Sequence, residues 1–282
     1  MTSFEFRHRS QLRGQGMSNT AIASAVATGA IIRARRDHYV VGGAPESIVR
    51  AVRVGGRLAC TSLLALLGVF VLHRQPLHVH LPHNASRMRA PHDRFRRLGP
   101  RASRDVRLHW HPLTDAPGQS ATVSVLDALA QSVLCQPPRA AIATLDSAMH
   151  LGVIVEADLA EIFRRLPPRF ATLRRLVDGR AEAGSETIVR LLLRAVSDDV
   201  RIQVQIVGVG RVDLLIDGWL VVECDSREFH GGWEEQERDR RRDLLLAAAG
   251  YTTIRPTARM VFDEPHLVLE AVRGLLAARA AG

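Results

Sequence analysis

The sequence predicts an α/β protein, with a mixed α/β domain in its last third and an α+β region before it. Three observations carry this reading. From residue 184 onward, helix-length and strand-length apolar patterns alternate: helix 186–196, strands 200–207, 211–216 and 219–225, helix 234–249, strand 251–255, helix 264–279. The first third instead places a helical pattern before a short basic hairpin. The whole chain of 282 residues is 46% hydrophobic and 24% charged, the composition of a folded soluble protein. At about 100–200 residues per domain, that length implies two domains or three small ones. The composition changes mark three zones, 1–74, 75–178 and 184–282.

In the first zone, Ile22, Ala25, Val26 and Gly29 fall at helical spacing behind Ser18, a side chain suited to an N-cap. Gly29 is placed to end that helix. Residues 31–43, with Arg33, Arg35 and Arg36 and the exit Gly42-Gly43, read as a hairpin. Helix followed by basic hairpin is the order of a winged helix-turn-helix. Further helices start near Pro45-Glu46 and at Cys60–Leu67. In the second zone Leu77–Leu81 and Val106–His111 alternate with period two. Arginines crowd the segment between them, and helical patterns follow at Val123–Leu134, Pro138–His150 and Glu156–Arg165, the last broken by Pro167-Pro168.

Several classes are excluded. The longest uncharged apolar run, residues 58–72, is shorter than the ~20 residues of a membrane span, and the first ten residues contain no apolar leader. The three cysteines, Cys60, Cys135 and Cys224, form no CxxC pair, so neither a disulfide framework nor a zinc ribbon is expected, and a reducing cytoplasmic setting fits. No nucleophile elbow, P-loop, dinucleotide fingerprint or HExxH is present. The net charge is +9, and every one of the 38 basic residues is arginine. Guanidinium is permanently charged and forks onto phosphate oxygens, so nucleic acid is the first partner to consider. On this reading Ser18 and Asn19 open a recognition helix, and Arg33, Arg35 and Arg36 contact duplex DNA from the wing.

The chemistry concentrates in residues 210–225. Two apolar strands joined by Asp217-Gly218 carry Asp213, Glu223 and Asp225. Buried carboxylates are costly unless paired, hydrogen-bonded or bound to a cation. A two-residue turn would pair 216 with 219 and put Asp213 and Glu223 on opposite faces. A three-residue loop, 216–218, pairs 215 with 219 and 213 with 221, which sets all three acids on one face with Asp213 and Glu223 diagonal. The bulged turn is therefore expected, with one Mg²⁺ or Mn²⁺ held by the hard oxygens of Asp213 and Glu223. A salt-bridged cluster with Arg211, Arg242 and Arg255 is the competing reading. Along Arg238–Asp243, Asp239 and Arg242 are expected to turn inward, with Leu244, Leu245 and Ala248 continuing to the core. His78/His80 and His109/His111 each share a strand face, a spacing able to bind zinc. No cysteine or carboxylate cluster accompanies them, so ordinary strand faces near nucleic acid are expected.

Gly210-Arg-Val-Asp213, Val221-Val-Glu-Cys-Asp-Ser-Arg-Glu-Phe-His230, Glu237-Arg-Asp-Arg-Arg-Arg-Asp243 and Ala249-Gly-Tyr-Thr-Thr-Ile-Arg255 together resemble a domain family of unknown function. That family is related to very-short-patch-repair (Vsr-like) endonucleases of the PD-(D/E)XK superfamily. The resemblance covers about 184–277 and implies a restriction-endonuclease-like mixed sheet flanked by helices. It implies Asp213 and Glu223 as metal ligands, Glu186 as the acid of the first helix, and Asp225, His230 and Arg255 as further catalytic positions. Asp225 stands where the superfamily has Lys, which Vsr-like members also lack; Val212 stands where Pro is usual and Ser226 where the family commonly has Gly, and the general base is left unassigned. The first two-thirds resembles actinobacterial proteins with an AbiEi-type antitoxin winged-helix domain. The function expected is a metal-dependent DNA endonuclease or nickase. The alternative is a non-catalytic DNA-binding regulator of the toxin–antitoxin kind with a decayed nuclease fold.

Overall fold

The computed structural model describes residues 4–100, 105–114, 118–225 and 233–281. The chain is mixed α/β with three open sheets among the described residues, and it divides into two compact units. The first contains residues 1–136 and 157–168, the second 137–156 and 169–282.

The first unit begins with β1 (Phe6–His8), α1 (Arg9–Gly14), α2 (Asn19–Ala27), β2 (Ile31–Arg35) and β3 (His38–Val41). Ser18 Oγ accepts the Ala21 amide at 3.0 Å, so the predicted N-cap starts α2. Gly29, at φ +76°, turns the chain out of it. Leu12, Ile22 and Tyr39 are buried together, with Met17, Val26 and Ile31 against them. β1 and α1 precede the predicted elements, and β1 completes an antiparallel sheet of order β1-β3-β2. Next come α3 (Glu46–Val54), β4 (Arg57–Leu58), α4 (Cys60–Leu66), β5 (Leu77–His80), β6 (Val106–His109) and α5 (Val125–Cys135). β4 pairs antiparallel with β5 and β5 parallel with β6. The expected boundary at 74 is therefore crossed by a sheet: β4 comes from the first zone and β5 from the second. α4 packs on α5.

α6 (Pro138–His150) belongs to the second unit, and α7 (Glu156–Arg164) mostly to the first. A short turn of helix at Pro168–Phe170 leads into α8 (Ala171–Arg174). The rest is α9 (Gly184–Leu193), β7 (Val200–Ile206), β8 (Gly210–Ile216), β9 (Leu220–Val222), α10 (Trp233–Ala248), β10 (Thr252–Ile254), α11 (Ala258–Asp263) and α12 (Pro265–Ala281). The sheet order is β10-β9-β8-β7, antiparallel except for the parallel β9–β10 pair. Ile206, Val212, Leu215, Val221 and Leu246 form one of its apolar clusters. α9 is buried along its whole length and packs on α6. Between these helices Arg190 and Asp146, 1% exposed each, pair at 2.9 Å.

The β8–β9 turn corrects the expected register. Leu214 pairs with Val222, Leu215 with Val221 and Ile216 with Leu220, so the loop is 217–219 rather than 216–218. Asp217 (φ +50°) and Gly218 (φ +75°) both adopt the left-handed region. Asp tolerates that conformation better than most side chains. In α10 the inward residues also differ: Leu246 is fully buried, Leu244 is 72% exposed, and Asp239 is exposed while Arg242 and Asp243 are half-buried. No helix among the described residues is long and apolar enough to cross a membrane.

Candidate functional site

The observed β8–β9 register, carried one residue further, puts Asp213 directly across from Glu223. β9 ends at Val222, so Asp213 and Glu223 are the residues next beyond the last ladder pair, and the Asp213 charge acts on Glu223. Asp213 Oδ2 accepts the Cys224 amide at 2.8 Å, which fixes the carboxylate at the end of the strand pair. Glu223 is 7% exposed, and its Oε1 has no hydrogen-bond partner. An Arg242 terminal nitrogen lies 2.9 Å from that oxygen without hydrogen-bond alignment, so the contact is an ion pair. The same guanidinium donates to the Arg211 carbonyl. Burial, first, and then the Asp213 charge push the Glu223 carboxyl above its usual range, while Arg242 opposes them. Burial likewise raises Asp213, against the Cys224 amide and Arg242.

Glu186 lies at the start of α9, where the resemblance places it, but its oxygens are engaged. Oε1 accepts the Ala183 amide at 3.0 Å, and Oε2 accepts the Glu182 amide at 3.1 Å and Gln203 Nε2 at 2.8 Å. It caps the helix, satisfying amides that would otherwise be orphaned. Desolvation, followed by repulsion from Asp213, pushes it up to about 7. Gln203, which by the register of its neighbours stands across from Asp213, takes φ +53°.

Other expected residues fall differently. The Asp225 backbone bridges to the segment after β10, through its amide to the Pro256 carbonyl at 3.2 Å and its carbonyl to the Ala258 amide at 2.9 Å. Asp213, Glu223 and Asp225 do not form a group whose ligand oxygens all lie within 4.8 Å of one another. The three acids, expected on one face, therefore do not converge on one point. Arg255 binds Asp243 through two hydrogen bonds, 3.0 and 2.7 Å. His230 and Ser226 lie outside the described residues. In the first unit Ser18 spends its hydroxyl on the helix cap and Asn19 is exposed. Arg36 is the open arginine of the hairpin, its side chain 89% exposed. Arg33 and Arg35 are half-buried; the Arg33 carbonyl accepts from Arg94, and the Arg35 guanidinium lies against the Gly55 backbone.

The fold also assembles a group that sequence spacing does not reveal. Cys60, His78, His109 and Cys135 bring their ligand atoms within 4.8 Å of one another. Each His-x-His pair contributes one histidine, and the two cysteines arrive from the start of α4 and the end of α5. In sequence, nothing but the His-x-His spacing pointed toward it.

A divalent Mg²⁺ or Mn²⁺ ion suits Asp213 and Glu223 in one respect that the structure itself supplies: Glu223 Oε1 is a buried anionic oxygen with no hydrogen bond. Mg²⁺ is commonly bound by one or two carboxylates with water and substrate phosphate completing its shell. Compared with known protein families and with curated proteins, the chain matches none.

Proposed function

We propose that this chain is a metal-dependent DNA endonuclease or nickase, with residues 184–282 as the phosphodiester-cleaving domain and the N-terminal helix and hairpin as a winged-helix element that docks on duplex DNA. The observation that carries the reading is that Asp213 and Glu223 follow directly on the last β8–β9 pair, Leu214–Val222, and that the buried Glu223 Oε1 makes no hydrogen bond, only an ion pair with Arg242. Asp213 and Glu223 would hold the ion, which supplies Lewis acidity toward the phosphate and activation of water. The Cys224 amide orients Asp213 through its 2.8 Å bond. Arg242, already beside Glu223, is placed to offset charge on the phosphoryl group. Arg255 acts from farther back, holding Asp243 on the same helix one residue from Arg242. A net charge of +9, all of its positive charge guanidinium, favours a polyanionic substrate.

The alternative reading, a non-catalytic DNA-binding regulator of the antitoxin kind with a decayed nuclease fold, is favoured by one specific observation. Arg242 already neutralises Glu223 at 2.9 Å, as it would in a site that needs no cation. Supercoiled plasmid incubated with Mg²⁺ or Mn²⁺ separates the two. The enzyme reading expects nicking by the wild type, its loss in Asp213→Asn and Glu223→Gln, and unchanged DNA retardation in all three. Retardation without nicking under either metal is the regulator's outcome.

A further inference from the structure

We propose that Cys60, His78, His109 and Cys135 bind one structural zinc ion that ties together the four elements of the first unit from which they project. Three of the four residues are buried, at 0%, 5% and 4% exposure for Cys60, His78 and His109. His78 Nδ1 lies 3.0 Å from His109 Nε2, and Cys135 Sγ lies 3.9 Å from the same His109 nitrogen. A tetrahedron with zinc–sulfur bonds of about 2.3 Å and zinc–nitrogen bonds of about 2.0–2.1 Å has edges of roughly 3.3–3.8 Å. The two observed edges differ from that range by a few tenths of an ångström, and every other edge is under 4.8 Å.

The donor set names the metal. Two thiolates and two imidazoles at one tetrahedral centre suit zinc, whereas carboxylate and carbonyl oxygens suit magnesium, calcium and manganese. A two-iron cluster of the same composition would set its cysteines on one iron and its histidines on the other. Here Cys135 and His109 approach each other, and all four atoms crowd one point. Four protein ligands leave no position for substrate, which makes the site structural rather than catalytic.

The placement explains what an ion would do there. The sheet carrying both histidines has strands of only two, four and four residues. β5 and β6 run parallel, with His80 beside His109 in register and His78 one pleat away on the same face. The Ser62 hydroxyl accepts the His78 amide at 2.9 Å, and the Ala59 amide donates to the His78 carbonyl at 3.1 Å, so the start of α4 is already seated against β5. Cys135 brings the end of α5 to the same point. One ion would cross-link a small sheet to both of the helices packed over it.

The test uses the full chain. Purified protein is analysed for metal by mass spectrometry, then stripped with a chelator and titrated with Zn²⁺, and separately with Co²⁺ to read the absorption of tetrahedral cobalt–thiolate. The expected result is one zinc per chain in the wild type and in Cys224→Ser, its loss in Cys135→Ser and His109→Asn, and cobalt spectra showing two thiolates. Should a ligand variant fail to fold, the stripped wild type still decides the matter. Uptake of one Zn²⁺ with a rise in melting temperature supports the site. A stripped, reduced chain that takes up no Zn²⁺ overturns it. So does a Cys60–Cys135 disulfide in the folded protein, or zinc that stays bound in folded Cys135→Ser.

Discussion

Replacing Arg190 by methionine keeps much of the side-chain volume and removes the charge from the most deeply buried ion pair described here. Arg190 donates to Asp146 Oδ2 at 2.9 Å and to the Leu176 carbonyl at 2.8 Å. Asp146 also accepts the Thr187 hydroxyl at 2.8 Å and the Asp178 amide at 2.7 Å. Removing one partner of such a pair costs about 3–5 kcal/mol, because the other charge is left buried without compensation. The pH profile carries the sharper signature. Burial, opposed by Arg190, already raises the Asp146 carboxyl to about 6. Because the folded value lies above the unfolded one, the ionised group costs stability. That cost is absent below about pH 4 and complete above about pH 6. Without Arg190 the folded value rises further. The variant should therefore go on losing stability between pH 6 and 8, by up to about 1.4 kcal/mol per pH unit, where this group no longer contributes a slope in the wild type. Urea denaturation at several pH values measures both curves. Parallel profiles, or a loss of less than about 1 kcal/mol at pH 7, would show that Asp146 is not left as an uncompensated buried carboxylate.

Two further outcomes follow from the same geometry. Gly55→Ala should destabilise the first unit by about 1–3 kcal/mol in urea, because the residue sits at φ +115°, a conformation that L side chains rarely adopt, while the Arg35 guanidinium end that the new Cβ would meet can swing aside. Arg36→Ala should weaken DNA retardation evenly across sequences and lower the salt dependence of binding by about one phosphate contact, with little effect on stability; an unchanged salt slope would remove the hairpin tip from the interface.

What was legible in the sequence was local. Periodicity located α2, the β2–β3 hairpin and all four strands of the C-terminal sheet, because those signals repeat within a few residues. The Ser18 cap follows from its hydroxyl and the Gly29 exit from its lack of a Cβ. The expected loop, 216–218, lies one residue before the observed 217–219, in which Asp217 and Gly218 both take the left-handed conformation. Moving the pairing by two residues preserves parity and leaves Asp213 and Glu223 next beyond the last ladder pair. Asp225 did not join them, because the chain leaves β9 after Val222 and its backbone turns to the segment following β10. In α10 a helix pattern with adjacent leucines offered more than one inward face, and packing chose Leu246 over Leu244. The cysteine–histidine group was out of reach for a different reason. Its members lie far apart in the chain and meet only because β5 and β6 pair in parallel while α4 and α5 close over them, which no local spacing encodes. The pairing of β4 with β5 across residue 74 is hidden from the sequence for the same cause.

Whether Asp213 and Glu223 bind a hard divalent cation, as proposed, is decided by Mn²⁺ titration followed by electron paramagnetic resonance. Zinc-saturated wild-type chain should bind one Mn²⁺ that magnesium displaces, and Asp213→Asn and Glu223→Gln should each abolish that site while remaining folded. Equal Mn²⁺ binding by all three proteins, or none by the wild type with DNA present, would rule out a cation site at these carboxylates.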